Sequence, residues 1–121
     1  MAEQAVHLQV ELNIHAGEFD AFESIAQEMI AGTKTEPGAL GYEWYLSSDR
    51  QRCVIYETYR DAAALLAHIN GPVVQQGLPR LLQHSAISRS RVFGDPGAEA
   101  RAILTEFGAE IFDGWRSLST K

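Results

Sequence analysis

The chain has 121 residues, 45% of them apolar and 21% charged, with a formal net charge of −6. That length suits one domain with one core, and sixteen acidic against ten basic residues leave no cationic surface of the kind that displaces counterions from nucleic-acid phosphates. Cys53 is the single cysteine, so no intrachain disulfide forms, and no apolar run nears the roughly 18 residues of a membrane span.

The first ten residues, MAEQAVHLQV, lack the basic start and apolar core of a secretory signal. A cytoplasmic location is expected. From Ala5 to Ile14 the chain alternates, with Val6, Leu8, Val10, Leu12 and Ile14 on one side and His7, Gln9, Glu11 and Asn13 on the other. Period two with β-branched residues predicts a half-buried strand. After the break at His15-Ala16-Gly17, the residues Phe19, Phe22, Ile25, Ala26, Met29 and Ile30 recur at helical spacing. Glu18, Asp20 and Glu23 favour the N-terminal end of that helix. The stripe is read as core against a sheet.

Glu36-Pro37-Gly38 ends the helix, because Pro cannot continue the ladder and Gly tolerates positive φ. A strand is predicted from Ala39 to Ser47, with Tyr42, Trp44 and Leu46 sharing a face. The polar turn Ser48–Gln51 leads to an antiparallel partner from Arg52 to Tyr59. Both faces of this hairpin carry large apolar groups, so both are expected to be covered. Cys53 lies in the apolar run CVIY, where a free cysteine behaves as a small buried hydrophobe.

Asp61 is predicted to cap a short helix, Ala62 to Ile69, that carries His68. Asn70-Gly71-Pro72 breaks it, and residues 73–85 predict a less regular helical piece interrupted at Gly77 and Pro79. Ala86 to Phe93 is the last predicted strand. The order β-α-β-β-α-β is the ferredoxin-like, or split βαβ, pattern: an α+β fold with two helices on one face of a four-stranded antiparallel sheet. Residues 95–121 follow as a C-terminal helix, predicted from Glu99 to Phe107 with Asp95 as cap and Pro96 in its first turn, and an apolar arm. Ile111, Phe112, Trp115 and Leu118 are too much large apolar surface for a disordered tail. The arm is expected to pack on residues 1–94 or on a dimer partner.

An EPG turn, an aromatic strand, a strand ending in Tyr56-Glu57-Thr58-Tyr59, and Asp61, Ala64 and His68 in a D-x-x-A-x-x-x-H pattern resemble the antibiotic biosynthesis monooxygenase family, including its quinol monooxygenases. The resemblance runs from about Val6 to Phe93. It implies a homodimeric α+β barrel, with the sheets of two subunits packed together and a pocket between each sheet and its own helices. It also implies oxidation of quinol-like or phenolic small molecules by molecular oxygen, with no metal or flavin cofactor. The alternatives are a non-catalytic or stress-associated dimer of the same fold and an isomerase relative.

Under this resemblance the candidate catalytic residues are His68, Glu57 and Tyr59. His68 is a candidate general base, since imidazole suits proton abstraction near neutrality, or a helix histidine held for structure. Glu57 in an apolar strand is a candidate proton shuttle or a structural partner. Tyr42, Trp44, Tyr56, Asn13 and Arg91 are candidates for the substrate pocket, each with a packing or solvated alternative. Many relatives carry Trp where this chain has Tyr59, and a second His where it has Val73. The position that matches the axial histidine of the haem-degrading branch lies near Gly77 here, so haem degradation is not expected.

Overall fold

The computed structural model of the protein describes residues 4–118. The elements follow the order β1 (Val6–Ile14), α1 (Phe19–Thr33), β2 (Ala39–Leu46), β3 (Arg52–Tyr59), α2 (Ala62–Asn70), a π-helical turn (Val73–Gly77), α3 (Leu78–Leu81), β4 (Ser85–Phe93), α4 (Ala98–Glu106) and β5 (Glu110–Phe112). The strands form one sheet in the order β2-β3-β1-β4-β5. β1 sits at the centre, antiparallel to both β3 and β4. This is the expected ferredoxin-like α+β arrangement with one strand more.

That fifth strand corrects the predicted four-stranded antiparallel sheet. Glu110–Phe112 pairs in parallel with Arg91–Phe93. The free edge of β4 carries unmet N–H and C=O groups, and a short extended segment returning from α4 satisfies them. Phe112 then stacks on Phe93, with ring centroids 5.4 Å apart. Part of the apolar arm thus docks on its own chain, while Trp115 and Leu118 remain exposed. The last three residues of the arm lie outside the described residues.

Period two decides which side chains enter the core. Val6, Leu8, Leu12 and Ile14 of β1 are buried, as are Cys53, Ile55, Glu57 and Tyr59 of β3. They meet Phe22, Ile25, Ala26 and Met29 of α1 and Leu65, His68 and Ile69 of α2. The core has two clusters. One surrounds Leu12, Phe22 and Ile55; the other surrounds Val6, Tyr59 and Leu65. Each fully buried leucine or valine in them contributes about 1.5–3 kcal/mol relative to exposure. The outer face of the hairpin is uncovered within the chain, with Tyr45 and Tyr56 exposed.

Two local expectations change. Gly77 and Pro79 do not interrupt the helical piece. Gly77 joins the π-helical turn to α3, and Pro79 falls in the first turn of α3, where its missing N–H costs nothing. Asp95 does not cap α4. Its Oδ1 accepts from the Gly97 N–H at 2.9 Å, and the capping position is Gly97, whose φ of 82° favours glycine.

Candidate active site

α2 is placed by contacts at its first turn. Asp61, in an extended conformation, accepts from the Ala64 N–H at 2.8 Å, which satisfies one of the free amide groups at the helix start. Gly38 lies so close to α2 that a Cβ there would collide with the Ala64 Cβ. The Arg60 N–H also donates to the Gly38 carbonyl at 2.9 Å. The small residues of the EPG turn and of the D-x-x-A segment are therefore a packing pair. Their close approach carries Glu36, two residues before Gly38, onto the end of α2.

There the Nδ1 of His68 bonds to Glu36 Oε1 at 2.7 Å, with the imidazole buried and Glu36 partly open. A carboxylate on Nδ1 fixes the ring orientation and leaves Nε2 as the atom able to take a proton. Nε2 faces Glu57 Oε1 at 3.8 Å, beyond hydrogen-bond reach. The Tyr59 O–H donates to that same Glu57 oxygen at 2.6 Å. The imidazole packs against two aromatic rings, Tyr59 with centroids 5.0 Å away and Tyr42 edge-on at 5.5 Å.

Burial dominates the electrostatics. It pushes the Glu57 carboxyl above the ordinary carboxylate range; His68 and the Tyr59 hydrogen bond pull the other way, and Glu36 adds to the rise. Burial, reinforced by the charge of Glu57, also raises the phenols of Tyr59 and Tyr42, so both stay protonated donors. A protonatable carboxyl and an oriented imidazole thus stand side by side, the arrangement of an acid and a base in one site. Cys53 lies elsewhere in the core, and burial pushes its thiol up to about 11, as befits an inert thiol.

Glu57, His68 and Tyr42 open onto a cavity of about 100 Å³. It lies where the two core clusters meet. Leu8, Leu12, Met29 and Ile55 form much of its wall, Val74 of the π-helical turn closes one side, and Ile103, Leu104 and Phe107 at the end of α4 close another. Among the described residues, no group of three or more His, Cys, Asp or Glu side chains is placed to hold a metal ion.

The structure brings together His68, Glu57, Tyr59 and Tyr42. Trp44 shares their face of the sheet but packs edge-on to Phe22 and Tyr42 beside a separate groove against α1. Tyr56, Asn13 and Arg91 do not reach the cavity. They alternate with Glu57, Leu12 and Val92, so period two places them on the opposite face of the sheet, where Tyr56 and Asn13 are exposed. In the sequence Glu36 reads as part of a helix stop and of the EPG motif, with no sign of a role at the site. Nor does the sequence place α4 at the pocket, because nothing within so short a helix says where it docks.

The chain matches the family model described as antibiotic biosynthesis monooxygenase over residues 5–80. No curated protein sequence matches it. Among solved structures it is similar to MupZ from Pseudomonas fluorescens, with a TM-score of 0.83 and 21% identity over 97% of this chain and 95% of that one. SnoaB, a cofactor-independent oxygenase from Streptomyces nogalater, superposes with a TM-score of 0.67 and 18% identity over 78% of this chain and 95% of that one. Rv0793 from Mycobacterium tuberculosis gives a TM-score of 0.67 at 21% identity, over 78% of this chain and 98% of that one. At these identities the structural likenesses speak to fold alone. The matched segment includes the EPG turn, β3 and α2, and on that match the chain belongs to the antibiotic biosynthesis monooxygenase family.

Proposed function

We propose that the protein is a cofactor-independent monooxygenase that oxidises a phenolic or quinol-like small molecule with molecular oxygen. The observation that carries this reading is the pairing of His68, held by Glu36 with Nε2 free, and buried Glu57 on one apolar cavity. Nε2 takes the proton of the substrate O–H. The phenolate passes one electron to oxygen, and the phenoxyl radical and superoxide combine at a ring carbon. Glu57 protonates the resulting peroxide. The ring C–H proton then returns to Glu57 as the O–O bond breaks, and His68 gives its proton to the departing oxygen. Phenol and O2 become quinone and water. The apolar wall favours this sequence, because a desolvated phenolate is a better electron donor than a hydrated one.

Oxygen uptake with a panel of hydroquinones and phenols tests this, with 18O2 labelling of the product. His68→Ala is expected to abolish uptake while the protein stays folded; unchanged turnover removes His68 from the mechanism. The acid–base pair also supports a second reading, an isomerase that moves one proton between two carbons of an enolisable substrate. Turnover that persists without oxygen selects the second reading.

The same reading takes the protein as a homodimer joined through the outer sheet face, where Tyr45, Tyr56 and Phe112 lie exposed. Sedimentation equilibrium tests it: a monomer at micromolar concentration would rule it out.

A further inference from the structure

The wall formed by α4 lies beyond the segment that the family model matches, which ends at residue 80. α4 is held firmly. Gly108, with φ of 84°, closes the helix: its N–H donates to the Thr105 carbonyl at 2.9 Å, and the Ala109 N–H donates to the Leu104 carbonyl at 3.0 Å. These two bonds are the Schellman pattern, which fixes a helix end and prevents fraying. Beyond it, β5 ties the segment to the sheet edge, where the Gly94 N–H donates to the Phe112 carbonyl at 2.9 Å.

Phe107 sits at that fixed end. It lines the cavity yet is 61% exposed, so its ring stands at the mouth, with the buried Leu104 one turn further in. The ionisable groups of the lining, Glu57 and His68, lie with Tyr42 on the β2–β3 and α2 side, and on the β4 side the lining adds one neutral hydroxyl, Ser90. Among the described residues lining the cavity, none is lysine or arginine. His68 is the one lining side chain able to carry positive charge, so a carboxylate or phosphate on the substrate away from His68 would have no counter-charge, and burying one unpaired is strongly unfavourable.

We infer that the substrate is a neutral molecule with one ionisable hydroxyl at Glu57 and His68 and an apolar tail running toward α4, and that Phe107 at the mouth sets the tail length the cavity accepts. The inference deepens the proposed function and rests on its assignment of the cavity as the binding site. Each methylene that finds room in such a wall is expected to tighten binding about fourfold. Once the tail meets the Phe107 ring, the gain stops.

The test is calorimetric titration of a 4-alkylphenol series, methyl to octyl, into wild type, Phe107→Ala and Phe107→Trp. For wild type, affinity is expected to climb with chain length and then break. In Phe107→Ala the break moves to tails about two carbons longer, and in Phe107→Trp to shorter ones. 4-Hydroxybenzoate is expected to bind at least about tenfold more weakly than 4-methylphenol in all three. A break at the same length in all three proteins overturns the role of Phe107, and equal binding of the carboxylate overturns the neutral-substrate assignment. Failure of every alkylphenol to bind wild type overturns the whole inference. Binding with the expected breaks but no oxygen uptake removes only the monooxygenase reading. Phe107 is mostly exposed, so both variants are expected to fold, and circular dichroism checks this.

Discussion

His68 and Glu36 lie thirty-two residues apart in sequence, yet the Nδ1 of His68 is 2.7 Å from Glu36 Oε1. The bond joins the end of α1's trailing turn to the C-terminal half of α2, and it decides which imidazole nitrogen faces the cavity. Glu36→Gln replaces the carboxylate by an amide that can offer either an oxygen or an N–H to Nδ1. The tautomer is then no longer fixed. Turnover is expected to fall about a hundredfold with little change in melting temperature. Activity equal to wild type would show that the imidazole needs no orienting carboxylate.

Glu57 sets a pH dependence of stability. Its folded-state pKa is raised above the ordinary 4.5. The unfolded chain ionises it above that pH while the folded protein still holds the proton. The stability it contributes is complete below 4.5 and is lost as pH rises through the folded value. Glu57→Gln keeps an acceptor for Tyr59 and removes the titration. The melting temperature of the variant relative to wild type is therefore expected to increase as pH rises above 4.5, at most by the equivalent of about 1.4 kcal/mol per pH unit, and to level off once the folded value is passed. Parallel melting curves across that range would count against a raised Glu57.

Tyr59 is fully buried and donates its O–H to Glu57 at 2.6 Å. Tyr59→Phe keeps the ring against His68 and Leu65's cluster but leaves the carboxyl short of a donor. A loss of about 1–3 kcal/mol is expected from chemical denaturation. A variant as stable as wild type would mean that another group, or water, replaces the phenol.

Gly38→Ala tests the close approach behind the site. The new methyl would meet Ala64 at the start of α2, so α2 must shift or the turn must open, at about 1–3 kcal/mol. Because Glu36 and His68 ride on the two sides of this contact, turnover is expected to fall with stability. The double variant Gly38→Ala with Ala64→Gly restores the space and is expected to recover both. Failure to recover would show that Gly38 is required for another reason.

Much of this architecture was legible in the chain. The alternation of Val6 through Ile14 and the helical spacing of Phe22, Ile25 and Met29 set elements, faces and core, because burial depends on local period. The capping role of Asp61 was equally local. β5 escaped because three residues carry too little pattern to declare a strand; only the open edge of β4 makes one. Tyr56, Asn13 and Arg91 were grouped with the pocket by residue type, although their phase already set them opposite Glu57 and Leu12.

The sequence by itself determined most of the secondary elements, the apolar face of β1, and the placing of Glu57 and Tyr59 on one strand and His68 on the helix that follows it. Only the tertiary structure decided that Glu36 orients His68, that Nε2 rather than Nδ1 meets the cavity, and that α4 closes its far wall. Those relations join residues distant in the chain. They depend on how closely two backbones approach, as Gly38 and Ala64 allow, and on where a helix end is fixed, as Gly108 fixes Phe107. Neither distance is written in a local pattern of apolar and polar residues.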